Sequence, residues 1–376
     1  MGMKILVVCI DGTGQRPGQT AEDPVKGIEY EKDTNVVRTW EALTDSKLNS
    51  DRPYGEIAPL PKQPAGSMAI YLNGVGSEGI PIERLAAGAT GAGTSERIKD
   101  AYRFLSKHWL PGDKIYGFGF SRGAFAVRSL AGFINRVGLS KSNYLMREDE
   151  LQKLYQQYMS TSTSQERNAR TWDNNVQIEF LGLWDTVGAL AFRDLLNNYH
   201  DTSPLNVNQV YHALALDERR MLWRPEEWKH GVTSQHSKDS PHIEEVWFAG
   251  THTNVGGGFS DPNLSNIALF WVLYKATKNG LKLDLRGITG WHAEDVHGDP
   301  KPTYAETWGS MFGVEEFLAA LGIGAERRRV LPSQRLHESV IDAMKERSYR
   351  PAALWHDGVT EITPSVADGH IEQWGL

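Results

Sequence analysis

The stretch Gly119-Phe120-Ser121-Arg122-Gly123 lies between two patterns that leave the chain little conformational choice. Upstream, Lys114 to Phe120 is a short, apolar, β-prone run. Downstream, Ala124, Val127, Leu130, Ala131 and Ile134 recur at helical spacing. A serine between glycines, placed between strand and helix, predicts the sharp turn called a nucleophile elbow, which lifts the hydroxyl above a sheet edge. The glycines let strand and helix pass without a Cβ clash. The helix N-terminus then points unpaired N–H groups at any oxyanion formed beside the serine. In a chain with 37 glycines the five residues alone carry little weight. Their strand–helix frame separates this reading from a tight turn holding an ordinary buried serine.

Five segments are apolar without alternation, the pattern of strands covered on both faces. They are Lys4 to Ile10, Ala69 to Leu72, Lys114 to Phe120, Gln177 to Trp184 and Glu245 to Gly250. Each runs into a polar or glycine-rich turn. Helical patterns separate them: one capped at Thr94 or Ser95 with Ile98, Ala101, Tyr102, Leu105 and Trp109 inward, another capped at Ser265 and ending near Gly280. The alternation predicts an α/β fold, a doubly wound and mostly parallel sheet of α/β-hydrolase type. In such sheets the site lies beyond the carboxyl ends of the strands, so the five turns should converge. Residues 1–376 are read as a single domain. The stretches Gln15 to Lys32 and Asn49 to Gly66 read as long loops, and residues 287–324, rich in aromatics, as a cap or lid region.

Composition narrows the function classes. The net charge of −7 gives no basic footprint, so no nucleic-acid partner is expected. The single cysteine, Cys9, leaves no internal disulfide and no cysteine-rich metal site, and its apolar neighbours mark it as a small buried hydrophobe. The first residues fit a core strand better than a signal peptide. The longest apolar run, Ile267 to Tyr274, is eight residues, far short of the ~20 that span a bilayer. The expectation is a chain made soluble in the cytoplasm.

A serine hydroxyl needs a neighbouring imidazole to take its proton, and the imidazole needs a carboxylate to fix its tautomer. In this fold the order along the chain is Ser, acid, His. Asp185 ends the run Phe180 to Trp184, and His252 follows the run Val246 to Gly250, so Ser121, Asp185 and His252 are the candidate triad among 47 acidic residues and 12 histidines. Asp185 as a turn or cap residue, and His252 as a structural residue, are the plain alternatives. His337, before a helical pattern, is the rival base. The oxyanion donors are expected from the N–H of Arg122 and from Gly12 or Thr13 in the turn Asp11-Gly12-Thr13-Gly14. Asp11 would cap that turn, bind Arg122 or Arg128, or contact substrate. Asn254 stands close to His252 and, being an amide, cannot be the acid. No metal and no cofactor is expected.

Further pieces carry a family likeness: Asn35-Val36-Val37-Arg38, Asn73-Gly74-Val75-Gly76, Ser121-Arg122-Gly123-Ala124, Trp184-Asp185-Thr186-Val187-Gly188, Ala213 to Glu218, and His252-Thr253-Asn254-Val255-Gly256-Gly257-Gly258. With Asp11-Gly12-Thr13 they run in order over most of the chain. The chain resembles the α/β-hydrolase domain of type VI secretion lipase effectors, in particular the phospholipase group with a GFSRGA motif. That resemblance implies the same triad, Ser121, Asp185 and His252. It also implies phospholipid or another lipid ester as substrate, peripheral membrane contact, export by a Sec-independent secretion system with a carrier, and an immunity protein. Asn254 stands where the family usually has an acidic residue, and Gly14 where it usually has an aromatic one, which bears on substrate or ion preference near the mouth.

Two other function classes remain as alternatives. One is a metal-dependent phosphoesterase around Asp11, Asp185 and His252. It lacks a second aspartate, since Cys9 stands at that place, and has no HExxH pair. The other is a non-catalytic binding module that keeps the fold, although every triad position is filled.

Overall fold

The computed structural model describes residues 2–23, 27–48, 55–76, 92–142, 144–160, 172–188, 206–220, 223–228, 242–285, 328–330, 334–346, 349, 351–354 and 365–366. The region read as a cap, residues 287–324, lies outside them. In chain order the strands are β1 (Ile5–Ile10), β2 (Thr20–Glu22), β3 (Glu29–Glu31), β4 (Glu56–Pro59), β5 (Met68–Leu72), β6 (Lys114–Phe120), β7 (Leu139–Ser140), β8 (Trp172–Asp173), β9 (Ile178–Trp184), β10 (Val207–Ala215), β11 (His242–Phe248), β12 (Arg335–Leu336) and β13 (Ser365–Val366).

Nine of these form one sheet, in the order β13-β12-β11-β10-β9-β6-β1-β5-β4. All its pairings are parallel except that of β4 with β5, which is antiparallel. The apolar strand runs follow from this architecture. Every residue of β1 is buried. Ile5, Val7 and Cys9 enter one core with Val36, Trp40, Trp184 and Trp271, while Leu6, Val8 and Ile10 enter the other with Ile98, Leu105, Val127 and Leu130. Helices Asn35–Thr44 and Asn263–Lys278 cover the first face. Helices Ala92–His108, Arg122–Val137 and Glu148–Met159 cover the second. Fully buried Cys9 has its thiol pKa pushed up by burial, as befits a packing residue.

The chain leaves β1 on one side to form β5, then crosses to the other side to form β6. This reversal at β1 is the topological switch that opens a crevice beyond the strand ends. The predicted turns do meet there. Asp11 N–H donates to Leu72 O at 3.0 Å, Gly14 N–H to Val75 O at 2.8 Å, Ser121 N–H to Trp184 O at 3.0 Å and Asp185 N–H to Ala213 O at 2.7 Å.

Several local expectations are corrected. Strand β10 was not expected, because Asn208, Gln209 and His212 interrupt its apolar run. His212 is nonetheless fully buried. Its Nε2 accepts the Thr186 N–H at 3.0 Å and its Nδ1 meets Glu245 at 2.9 Å. The two supposed loops contain the hairpin β2–β3 and the edge strand β4, short and half-exposed elements with little apolar signal. The helix expected to start at Thr94 or Ser95 already begins at Ala92. Ser265 lies inside its helix, whose N-cap is Pro262, and Asn279 rather than Gly280 takes the C-cap. Among the described residues, no helix is long and apolar enough to cross a membrane.

Candidate active site

Ser121 stands at the junction of β6 and helix Arg122–Val137 with φ 58° and ψ −127°. A non-glycine residue there is strained, of the order of 1–3 kcal/mol, and such strain clusters at functional sites. Tight packing enforces it: a Cβ on Gly123 would lie 2.2 Å from Ile10 O. The Ser121 hydroxyl makes no capping bond to its own helix, which leaves it available at the positive end of the helix dipole.

Asp185 follows β9 and is the other strained residue of the site, with φ 39°. It is fully buried. Its Oδ2 lies 2.6 Å from His252 Nδ1, and its Oδ1 accepts the Ala215 N–H at 3.0 Å. His252 opens the short helix His252–Gly256. There Thr251 and Asn254 form a capping box, with Asn254 Oδ1 accepting the Thr251 N–H at 3.0 Å and its hydroxyl at 2.8 Å. Asn254 therefore orients the His252 turn. The imidazole packs on the Phe120 ring, with centroids 4.5 Å apart, and forms a T-shaped pair with the Trp223 ring at 4.4 Å. Its Nε2 is buried without a hydrogen-bond partner among the described residues.

Burial lowers the His252 pKa, against the opposing pull of Asp185. For Asp185, burial acts to raise the carboxyl pKa. Arg328 and His252 outweigh it and hold the group well below the usual carboxylate range.

Sequence reasoning missed much of the surrounding shell. Arg328 Nη1 donates to Asp185 Oδ1 at 2.5 Å and Nη2 to Oδ2 at 2.9 Å. Glu218 accepts the His252 N–H at 3.3 Å and is gripped by Arg220 at 2.8 and 2.7 Å. The Arg220 guanidinium lies 3.6 Å over the Trp223 ring. Glu218 carried a weak signal as the end of the Ala213 to Glu218 stretch. Arg328 carried none: it sits in Arg327-Arg328-Arg329, 143 residues from its partner.

The turn Asp11–Gly14 lies across from the elbow. Asp11 accepts bonds from Tyr71 at 2.6 Å, Thr34 at 2.9 Å and Gly12 N–H at 2.6 Å. It caps the turn and binds neither arginine considered for it. Arg128 instead serves the backbone carbonyls of Glu226 and Glu227. Burial pushes the Asp11 carboxyl up to about 6. The Gly12 N–H is committed to Asp11, whereas the Thr13 hydroxyl is buried without a partner among the described residues. Burial also lowers Arg122 to about 10. His337 lies at the end of β12. It is stacked on Phe248 at 4.6 Å and bonded to Ser339 Oγ at 2.9 Å. It is His252, and not His337, that contacts Asp185. Among the described residues no group of three His, Cys, Asp or Glu is placed to hold a metal ion.

Residues 4–275 match the family model described as the catalytic domain of Tle1-like phospholipase effectors of the type VI secretion system. The chain belongs to this family. An uncharacterized protein of Saccharomyces cerevisiae is 29% identical over 242 residues, which cover 58% of this chain and 31% of that protein. Three solved structures are similar. An uncharacterized protein from Pseudomonas aeruginosa has TM-score 0.40 and 15% identity, covering 78% of this chain and 48% of that one. A Tle1 effector bound to the VgrG spike has TM-score 0.33 and 19% identity, covering 69% and 52%. A propionate-bound esterase from Thermogutta terrifontis has TM-score 0.36 and 13% identity, covering 74% and 84%. The chain spans about a third of the yeast relative and about half of the first two structures.

Proposed function

We propose that this single Tle1-like domain hydrolyses carboxylic esters of phospholipids through Ser121, Asp185 and His252. One observation carries the reading: a buried imidazole bonded to a buried carboxylate at 2.6 Å through Nδ1, its Nε2 without a hydrogen-bond partner among the described residues, and its ring 4.5 Å from that of Phe120, the residue before a strained serine at a helix N-terminus. A carboxylate accepting the Nδ1–H leaves the Nε2 lone pair as the base.

His252 Nε2 takes the Ser121 proton as Oγ attacks the ester carbonyl. The tetrahedral oxyanion is held by the N–H of Arg122, which has no helical acceptor of its own, and by that of Thr13. Thr13 is preferred over Gly12 because the Gly12 N–H already serves Asp11. Gly12 makes room for the Phe120 ring, which a Cβ there would approach to 2.7 Å. His252 then returns the proton to the leaving alcohol. Water attacks the acyl-enzyme with His252 again as base, which frees the acid and Ser121. Family membership supports the lipid substrate, peripheral action at a membrane, and export on a secretion carrier.

The metal-dependent phosphoesterase reading finds little support in the donor set. Arg328 and His252 occupy the Asp185 oxygens, and neutral donors surround Asp11.

The test is fatty-acid release from mixed phospholipid vesicles by wild type and Ser121→Ala, each with and without EDTA. Release that Ser121→Ala abolishes and EDTA spares is expected. Release that survives Ser121→Ala, or a chelator-sensitive activity on phosphate esters alone, overturns the reading.

A further inference from the structure

An aspartate buried beside a neutral imidazole meets a difficulty. Without a counter-charge, desolvation drives it to take up a proton. A protonated Asp185 would no longer accept the Nδ1–H, and the tautomer that frees Nε2 would lose its anchor. Here the counter-charge is present. Arg328 is itself buried, grips both Asp185 oxygens at 2.5 and 2.9 Å, and uses the same guanidinium to hold Ala215 O and Trp223 O, each at 2.7 Å. Bidentate arginine–carboxylate pairing fixes orientation as well as charge. The Trp223 carbonyl belongs to the residue whose ring forms a T-shaped pair with His252, centroids 4.4 Å apart. One side chain therefore fixes the acid and one wall of the imidazole pocket.

We propose that Arg328 is a positioning residue of the site: it keeps Asp185 ionised and aligned on His252 Nδ1, and it sets the pH range over which His252 is a free base. The inference rests on the triad reading above. Arg328 lies outside the residues matched by the family model, 4–275, so the assignment concerns the part of the chain beyond the shared domain.

The charges around His252 define the direction of the effect. Asp185 at the end of β9 favours the imidazolium. After β10, Glu218 favours it and Arg220 opposes it, as a closely matched pair. Asp217, next to them, is held by the Gly250 N–H at 2.7 Å and the Tyr349 hydroxyl at 2.5 Å. Arg328 cancels much of the Asp185 charge. With Arg328 in place the resting site is two neutral ion pairs around a neutral imidazole. With Arg328 removed, the imidazolium becomes the main counter-charge of Asp185 and is stabilised. The His252 pKa then rises, and activity is lost at a higher pH on the acid side.

The experiment measures kcat and KM against pH for the full chain on a soluble p-nitrophenyl ester. It compares wild type, Arg328→Gln and Arg328→Lys, with Ser121→Ala as the inactive control. The His252 Nδ1–H proton resonance is followed by NMR in parallel. For Arg328→Gln the acid limb of kcat/KM, and the NMR titration with it, should move up by about one pH unit. For Arg328→Lys, which keeps the charge and loses the fork, kcat should fall at least tenfold with the limb unmoved. A folded Arg328→Gln whose limb coincides with that of wild type overturns the proposal. If Arg328→Gln does not fold, Arg328→Lys decides: unchanged kcat overturns it, and a fall in kcat with the limb fixed supports it. Failure of the triad reading looks different, since Ser121→Ala would then retain the wild-type rate.

Discussion

Ser121 and Asp185 are both non-glycine residues at positive φ, and each directly follows a strand, β6 and β9. The strain at Ser121 makes a prediction that separates stability from activity. Ser121→Ala keeps the Cβ and the strained backbone, so it should abolish turnover with stability little changed. Ser121→Gly should abolish turnover and stabilise the fold by about 1 kcal/mol, because relief of 1–3 kcal/mol of strain exceeds the 0.5–1 kcal/mol entropy cost of glycine. Thermal unfolding of the two variants measures the difference, and equal midpoints would mean that the backbone at Ser121 is unstrained. At this scale the sequence was legible where chemistry is local. A serine between glycines, and an acid and a histidine at strand ends, announce themselves by spacing. Arg328, Tyr71 and Thr34 do not, because their roles arise only when distant segments meet. The Gly12 N–H, named as an oxyanion donor, turns out to be taken by its own neighbour Asp11, a detail of side-chain rotation that spacing does not encode.

The elements follow their physical signals closely where both faces are covered. Strands β1, β5, β6 and β9 read as largely apolar runs because helices bury them on each side, and β11 does so over its last three residues, Val246 to Phe248. Strand β10 escaped because Asn208, Gln209 and the buried His212 interrupt it, and β2, β3 and β4 because exposed short strands have no pattern to show. The helix His252–Gly256 is short and gains its position from contacts. Gly256 lies against Phe120 so closely that a Cβ would fall 2.0 Å from the ring, and that ring packs on His252. Gly256→Ala should therefore displace Phe120 and the imidazole together, costing about 1–3 kcal/mol of stability from overpacking. It should lower kcat at least tenfold. Unfolding curves and ester kinetics check both, and an unchanged kcat would separate the Phe120 wall from catalysis.

For the whole molecule, pH acts through groups that the fold keeps from titrating normally. Burial pushes His337 down to about 3 and also lowers His252. In the unfolded chain these histidines take protons near 6.5, while in the folded chain they stay neutral. The stability held by His337 should thus be complete above pH 6.5 and be lost as the pH drops from 6.5 towards 3, by up to ~1.4 kcal/mol per pH unit, and His252 adds a loss of the same sign below 6.5. Asp11, raised to about 6, partly offsets this between about 6 and 3.8, since its folded form binds the proton more readily. His337→Gln should flatten the acid side of the stability profile. Unfolding midpoints between pH 7 and 4.5 test it, and an unaltered slope would place His337 outside the acid response.

The bond between Asp185 and Arg328 joins residues 143 positions apart, and Asp185 to His252 spans 67. Contacts this distant close late, after the loops between them have lost their freedom. They also impose an order during synthesis. A growing chain that has left the ribosome as far as residue 285 already holds Ser121, Asp185 and His252, yet lacks the guanidinium that neutralises Asp185. If both proposals hold, the site gains its full working pH range only once residue 328 has emerged and folded back onto Asp185, well after the three triad residues have been made.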